Sequence, residues 1–134
     1  MNSNNHITVD QIKNDAEVIK KELVEWRHYL HAHPELSFKE ERTTHYIVNK
    51  LKNFGYTDIQ IGFGPLKTGV MVEIGSGRPC VMLRADIDAL PIQEQTGVEF
   101  CSQSKGVSHA CGHEAHITNL LGVANLLKKY ATSI

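Results

Sequence analysis

Between Ser108 and His116 the chain reads Ser-His-Ala-Cys-Gly-His-Glu-Ala-His, one thiol, three imidazoles and one carboxylate in a single short stretch. Each of these groups binds metal ions or carries protons. Gly112 separates Cys111 from His113 and permits a sharp turn that a residue with a Cβ would resist. In extended backbone, residues two apart project to the same side. Cys111 and His113 are therefore spaced to converge on one ion. An apolar run follows at helical spacing: Ile117, Leu120, Leu121, Val123, Ala124, Leu126 and Leu127. It predicts a helix over about His116 to Tyr130, with the cluster at its loop-to-helix junction, a common setting for a site on a rigid frame. His113-Glu114-Ala115-His116 is one residue short of the zinc-protease pattern His-Glu-x-x-His. That pattern needs its imidazoles four apart to share one helix face, so this reading is rejected.

A site of this kind needs a scaffold, and 134 residues suffice for one compact domain. Apolar residues make up 41% and charged residues 22%, a globular rather than a disordered balance. With a net charge of −1 there is no basic field to attract nucleic acid or an anionic membrane, and neither is expected as a partner. Met1 to Asp10 is polar and lacks the apolar core of a signal peptide. No run approaches the ~18 apolar residues of a membrane span. Cys80, Cys101 and Cys111 are odd in number and form no Cys-x-x-Cys pair, which fits a reducing compartment. The expected location is the cytoplasm.

Taken in order, the pattern predicts helix, helix, strands, helix, an α/β layered domain with no internal repeat or linker. Ile12, Ala16, Ile19, Leu23, Trp26 and Leu30 form one stripe of a helix from about Val9 to Ala32. Thr8 or Asp10 is placed to cap it, and Pro34 ends it. Ser37-Phe38-Lys39-Glu40 has the spacing of a capping box for a second helix reaching about Phe54, where Gly55 is the stop. Asp58 to Ile61 and Gly69 to Ile74 read as strands. Cys80-Val81-Met82-Leu83 reads as a buried strand, with Cys80 filling core as a small hydrophobe. Asp86 and Asp88 follow that strand. In α/β sheets ligands gather beyond the carboxyl ends of strands, so both carboxylates are placed to face one crevice.

Several of these features have plainer readings. His28, His31 and His33 have no spacing distinctive for one metal and read as packed or solvated histidines. Asp88 reads equally well as a turn or cap residue. A Cys–His nucleophilic pair at Cys111 is a lesser alternative, because a nucleophile needs one base rather than three neighbouring imidazoles.

Four segments together resemble the amidohydrolase branch of the M20 metallopeptidases, which includes N-acyl-amino-acid amidohydrolases, hippurate hydrolases and auxin-conjugate hydrolases. They are Trp26 to Phe38, Thr68-Gly69-Val70, Leu83 to Glu94, and His109-Ala110-Cys111-Gly112-His113, in the family's order. The family usually has Asp where this chain has Glu114, which keeps the charge and adds a methylene. The resemblance implies an α/β fold, the N-terminal part of an M20-type catalytic domain over residues 1–134 with helices packed on a central mixed sheet. It implies that Cys111 and His113 are metal ligands and that Asp88 is a catalytic-site carboxylate orienting the centre from behind. Asp86 stands where other M20 enzymes place a histidine ligand, and it is not expected to bind metal.

The implied cofactor is a pair of divalent ions per complete site. Zn²⁺ or Mn²⁺ leads, with Ni²⁺ or Co²⁺ as alternatives. The implied chemistry is amide hydrolysis of small N-acyl amino acids or peptide-like substrates, with a glutamate moving the proton to the leaving amine. That glutamate is one of two adjacent ones downstream, and no Glu-Glu pair follows Glu114 here. The lid and dimerisation domain through which full-length relatives often form homodimers is also expected to be absent, as is the later part of the catalytic domain. The expectation is therefore an amidohydrolase segment inactive by itself. The competing expectation is a non-enzymatic metal-binding remnant, or a complementing piece of a split amidohydrolase.

Overall fold

The computed structural model describes residues 7–63 and 65–131. The predicted first helix is present as α1, Val9–Ala32. Thr8 caps it: its Oγ1 accepts from the Gln11 amide at 3.2 Å, and Gln11 Oε1 accepts from the Thr8 amide at 2.8 Å. The reciprocal pair satisfies two donors that a helix start leaves without partners. The apolar stripe is used unevenly. Ile12 is exposed, Ala16, Ile19 and Leu23 are half-buried, and only Trp26 and Leu30 are fully buried. The last two turns of α1 are thus the ones anchored in the core.

The second helix, α2, spans Glu41–Asn53 and starts later than the Ser37–Glu40 spacing predicts. Phe38 takes a left-handed φ of 66°, which no helix interior tolerates. The Ser37 hydroxyl donates to Asp88 Oδ2 at 3.2 Å instead of capping. Glu35 serves the helix start. Its carboxylate accepts from the Arg42 amide at 3.1 Å, the Thr43 amide at 2.7 Å and the Thr43 hydroxyl at 2.8 Å. Gly55 ends the helix as expected, with φ +93° and its amide bonded to Lys52 O.

Two short strands follow, β1 (Ile59–Ile61) and β2 (Val70–Val72), within the predicted stretches. They pair antiparallel with Gln60 opposite Met71. Gly62 closes the connection. At φ +74°, a Cβ there would lie 2.6 Å from Leu66 O, so only glycine fits.

The third helix, α3 (His113–Lys129), starts three residues before the predicted His116. It packs against both α1 and α2 and closes the core of Trp26, Leu30, Ile47, Leu51, Tyr56, Ile117 and Leu121. Gly122 lets α1 and α3 approach: its Cβ position is 3.0 Å from Leu23 Cδ2. Tyr56 donates to the Ala124 carbonyl at 2.9 Å, and Lys129 pairs with Asp15 at 2.6 Å. Helices and sheet make an α/β unit, as predicted, but among the described residues the sheet is a two-stranded antiparallel pair rather than a central mixed sheet.

The Cys80–Leu83 strand is not formed. Val81 and Met82 are 81% and 82% exposed, and Cys80 lies at the surface rather than in the core. A strand needs a neighbour for its backbone groups and cover for its apolar faces. Among the described residues this segment has neither. Order returns at Ala89. Its amide bonds Glu35 O at 2.8 Å, and Leu90 exchanges both backbone hydrogen bonds with Ser108 at 3.0 Å. These bridges tie the Asp88 segment to the α1–α2 connection on one side and to the cysteine–histidine loop on the other. Among the described residues, no helix is long and apolar enough to cross a membrane.

Candidate metal site and the charged cluster behind it

Gly112 gives the loop its turn. It sits in the left-handed region at φ +82°, caps α3 through its carbonyl, and bonds its amide to His109 O at 3.0 Å. The turn places His113 in the first turn of α3, facing the bridged segment of Asp88. His113 Nδ1 lies 2.9 Å from Asp88 Oδ1 and 2.9 Å from the Asp88 carbonyl. Both of those atoms accept, so Nδ1 donates, and in the neutral ring this leaves the lone pair on Nε2. Metal-binding histidines typically have this arrangement, with one ring nitrogen fixed by a carboxylate or carbonyl and the other presented to the ion.

Cys111, two residues before His113 in the chain, is an exposed free thiol. The sequence-predicted Asp88 and His113 are therefore brought together, with Cys111 beside them in the chain. Asp86 is turned to Arg84 and pairs with it. Among the described residues Cys111 makes no side-chain hydrogen bond to an imidazole, so a Cys–His nucleophilic pair is not formed. Among the described residues, no group of three or more His, Cys, Asp and Glu side chains is assembled to hold an ion. The chain thus presents one imidazole and one thiol near the helix start, fewer groups than the three or four protein ligands of an ordinary zinc site.

Behind this pair lies a buried charged cluster that the sequence did not disclose. Glu114, the residue after His113, is 1% exposed. Its Oε1 accepts from His31 Nδ1 at 2.9 Å and from Arg27 Nη2 at 3.3 Å. His31 Nε2 donates to Glu94 Oε1 at 2.9 Å. Burial alone works against a charged His31, but its hydrogen bonds to Glu94 and Glu114 outweigh it and its pKa is raised. Burial would likewise raise Glu94. The Thr96 hydroxyl, His31 and the Ser102 amide overcome it and hold that carboxyl at about 2. Glu114 is lowered too, with burial opposed first by the His31 hydrogen bond and then by His109.

His109 is 4% exposed, with Nδ1 4.0 Å from Glu114 Oε2 and no hydrogen-bond partner on either nitrogen. Burial depresses its pKa, partly offset by Glu114. Three further histidines among the described residues are packed or solvated. His28 stacks on Phe100 with centroids 3.7 Å apart, His33 bonds Tyr29 O at 2.7 Å, and His116 is exposed.

An α/β unit whose helix start presents a carboxylate-fixed imidazole and a thiol has the makings of a metallohydrolase half-site. Residues 82–134 match the model of peptidase family M20/M25/M40. The chain is 42% identical over 130 residues to the N-acyl-L-amino acid amidohydrolase of Geobacillus stearothermophilus, covering 96% of this chain and 34% of that one. It is 48% identical over 118 residues to the N-acetyl-L-cysteine deacetylase of Bacillus subtilis, covering 87% and 28%. A Bacillus subtilis structure described as a dinuclear metal binding peptidase from the M20 family superposes with a TM-score of 0.75 at 42% identity. That match covers 86% of this chain and 32% of the other. The chain is thus similar to members of peptidase family M20 over most of its length, and it spans about a third of the length of these two curated relatives.

Proposed function

We propose that this chain supplies part of the active site of a divalent-metal-dependent amidohydrolase acting on N-acyl amino acids or similar small amides. The observation that carries the reading is the His113 imidazole, held at Nδ1 by two oxygens of Asp88 and two residues along the chain from the free thiol of Cys111. In this reading His113 Nε2 and Cys111 Sγ are metal ligands, and Asp88 fixes the tautomer and aim of His113. The thiolate favours Zn²⁺; Mn²⁺ is the next choice, then Ni²⁺ or Co²⁺. When bound, such ions polarise the acyl carbonyl and generate the attacking nucleophile from water. Asp88 raises the basicity of His113 as a ligand and keeps the ring from rotating. The substrate class follows the names of the relatives, an N-acyl-L-amino acid amidohydrolase and an N-acetyl-L-cysteine deacetylase. Three exposed free cysteines suit a reducing cytoplasm.

Residues 1–134 by themselves are inactive in this account. Two protein ligands hold a metal weakly, and proton transfer worth about 10²–10⁴-fold has no glutamate pair to perform it. Joining residues 1–134 to the downstream part of the Geobacillus stearothermophilus relative tests the function. The account predicts chelator-sensitive hydrolysis of N-acetyl amino acids by the chimera, abolished by Cys111→Ala or His113→Ala. Turnover that survives metal removal, or a folded chimera indifferent to both substitutions, contradicts it. The bare apolar segment Val81–Leu83 favours a second reading, in which a separate chain completes the sheet. Activity on mixing the two parts unjoined distinguishes this from a non-enzymatic remnant.

A further inference from the structure

Glu114 follows His113 directly, so the two residues are gripped from different sides of the same helical turn. Asp88 holds the His113 ring from the strand-end segment. On the other side, His31 in the last turn of α1 bonds Glu114 Oε1, and its opposite nitrogen bonds Glu94 Oε1. Glu94 is itself anchored by the Thr96 hydroxyl and the Ser102 amide, each at 2.5 Å. The start of α3 has no side-chain cap, and Gly112 carries no side chain to pack. The rotation of that first turn therefore depends on what holds Glu114. An imidazole bonded at both nitrogens to buried carboxylates has one orientation open to it, and it transmits that orientation to both partners.

We propose that His31, acting through Glu114, is a positioning residue that sets the aim of His113 and Cys111 toward the metal. The inference rests on the metal-site reading above. His31 is 12% exposed and touches no ligand itself, so it acts only by holding the turn.

The test is a Co²⁺ titration of residues 1–134, followed by the sulfur-to-cobalt absorption band. Wild type is compared with His31→Ala, with Glu94→Gln, and with Tyr56→Phe as a control. Tyr56→Phe removes the bond to Ala124 O and lies outside the cluster. Melting temperature is recorded for each variant. The inference predicts that His31→Ala weakens Co²⁺ binding by about 10- to 100-fold and shifts the band. Glu94→Gln, which keeps the shape, should give a smaller change in the same direction and serves if His31→Ala does not fold. Tyr56→Phe should lower the melting temperature and leave Co²⁺ affinity unchanged. A normal wild-type band that His31→Ala and Glu94→Gln leave unmoved overturns the inference while sparing the metal site. So does a loss of affinity that merely tracks melting temperature across all three variants. A wild-type chain with no such band overturns the metal-site reading itself, and the inference with it.

Discussion

Asp88 uses both carboxylate oxygens, Oδ1 on His113 and Oδ2 on Ser37, and so joins the first residue of α3 to the α1–α2 connection. The sequence made Asp88 a candidate by its place after an apolar run, and Cys111 and His113 candidates by their spacing around a glycine. The His31 cluster was not legible. Its partners lie 63 and 83 positions away in the sequence, and no local pattern marks a histidine that will meet buried carboxylates. The cluster has a pH signature. The pKa of His31 is raised above its ordinary 6.5, so its contribution is fully present below that value and is lost as pH rises through the raised one. Glu94 is held at about 2 against an ordinary 4.5, so its contribution is present above 4.5 and lost as pH falls through about 2. The stability gap between wild type and His31→Gln should thus be widest between pH 4.5 and 6.5 and narrow on both sides. Thermal melts across pH check this; a gap that is flat or widest under alkaline conditions counts against the charged bridge.

At the scale of elements, α1 was readable because its cap, stripe and terminating proline all lie within the helix or next to it. The start of α2 was not, because its capping group is Glu35, outside the local box, while Ser37 is drawn to Asp88. Glu35→Ala should therefore destabilise the fold by about 0.5–2 kcal/mol, the usual range for a lost cap. Ser37→Ala should leave the amide protection of the first turn of α2 unchanged. Denaturant melts and hydrogen exchange at Arg42 and Thr43 separate the two; equal effects would show that the box, not Glu35, caps the helix. The Cys80–Leu83 strand was misread for the opposite reason. Its composition specifies a buried strand, but burial requires neighbours that the described residues do not include. α3 was placed by its apolar period, and its early start went unseen because His113 and Glu114 are not apolar.

At the scale of the whole molecule, the three helices and the hairpin of the described residues leave Val81, Met82 and Leu83 in water, 81%, 82% and 54% exposed. An uncovered apolar edge of this kind recruits other edges. Residues 1–134 should self-associate, and Val81→Lys with Met82→Lys should reduce it in sedimentation velocity without changing the melting temperature. Unchanged association would place the sticky surface elsewhere. The proposed function depends on one physical claim, that Cys111 and His113 bind the same divalent ion. X-ray absorption at the zinc edge, on residues 1–134 loaded with one equivalent of Zn²⁺, tests it most directly. The account predicts one sulfur at about 2.3 Å and one imidazole nitrogen at about 2.0–2.1 Å, with oxygens filling the remaining positions. The sulfur should vanish in Cys111→Ala. A first shell of nitrogen and oxygen alone in the unsubstituted chain would contradict it.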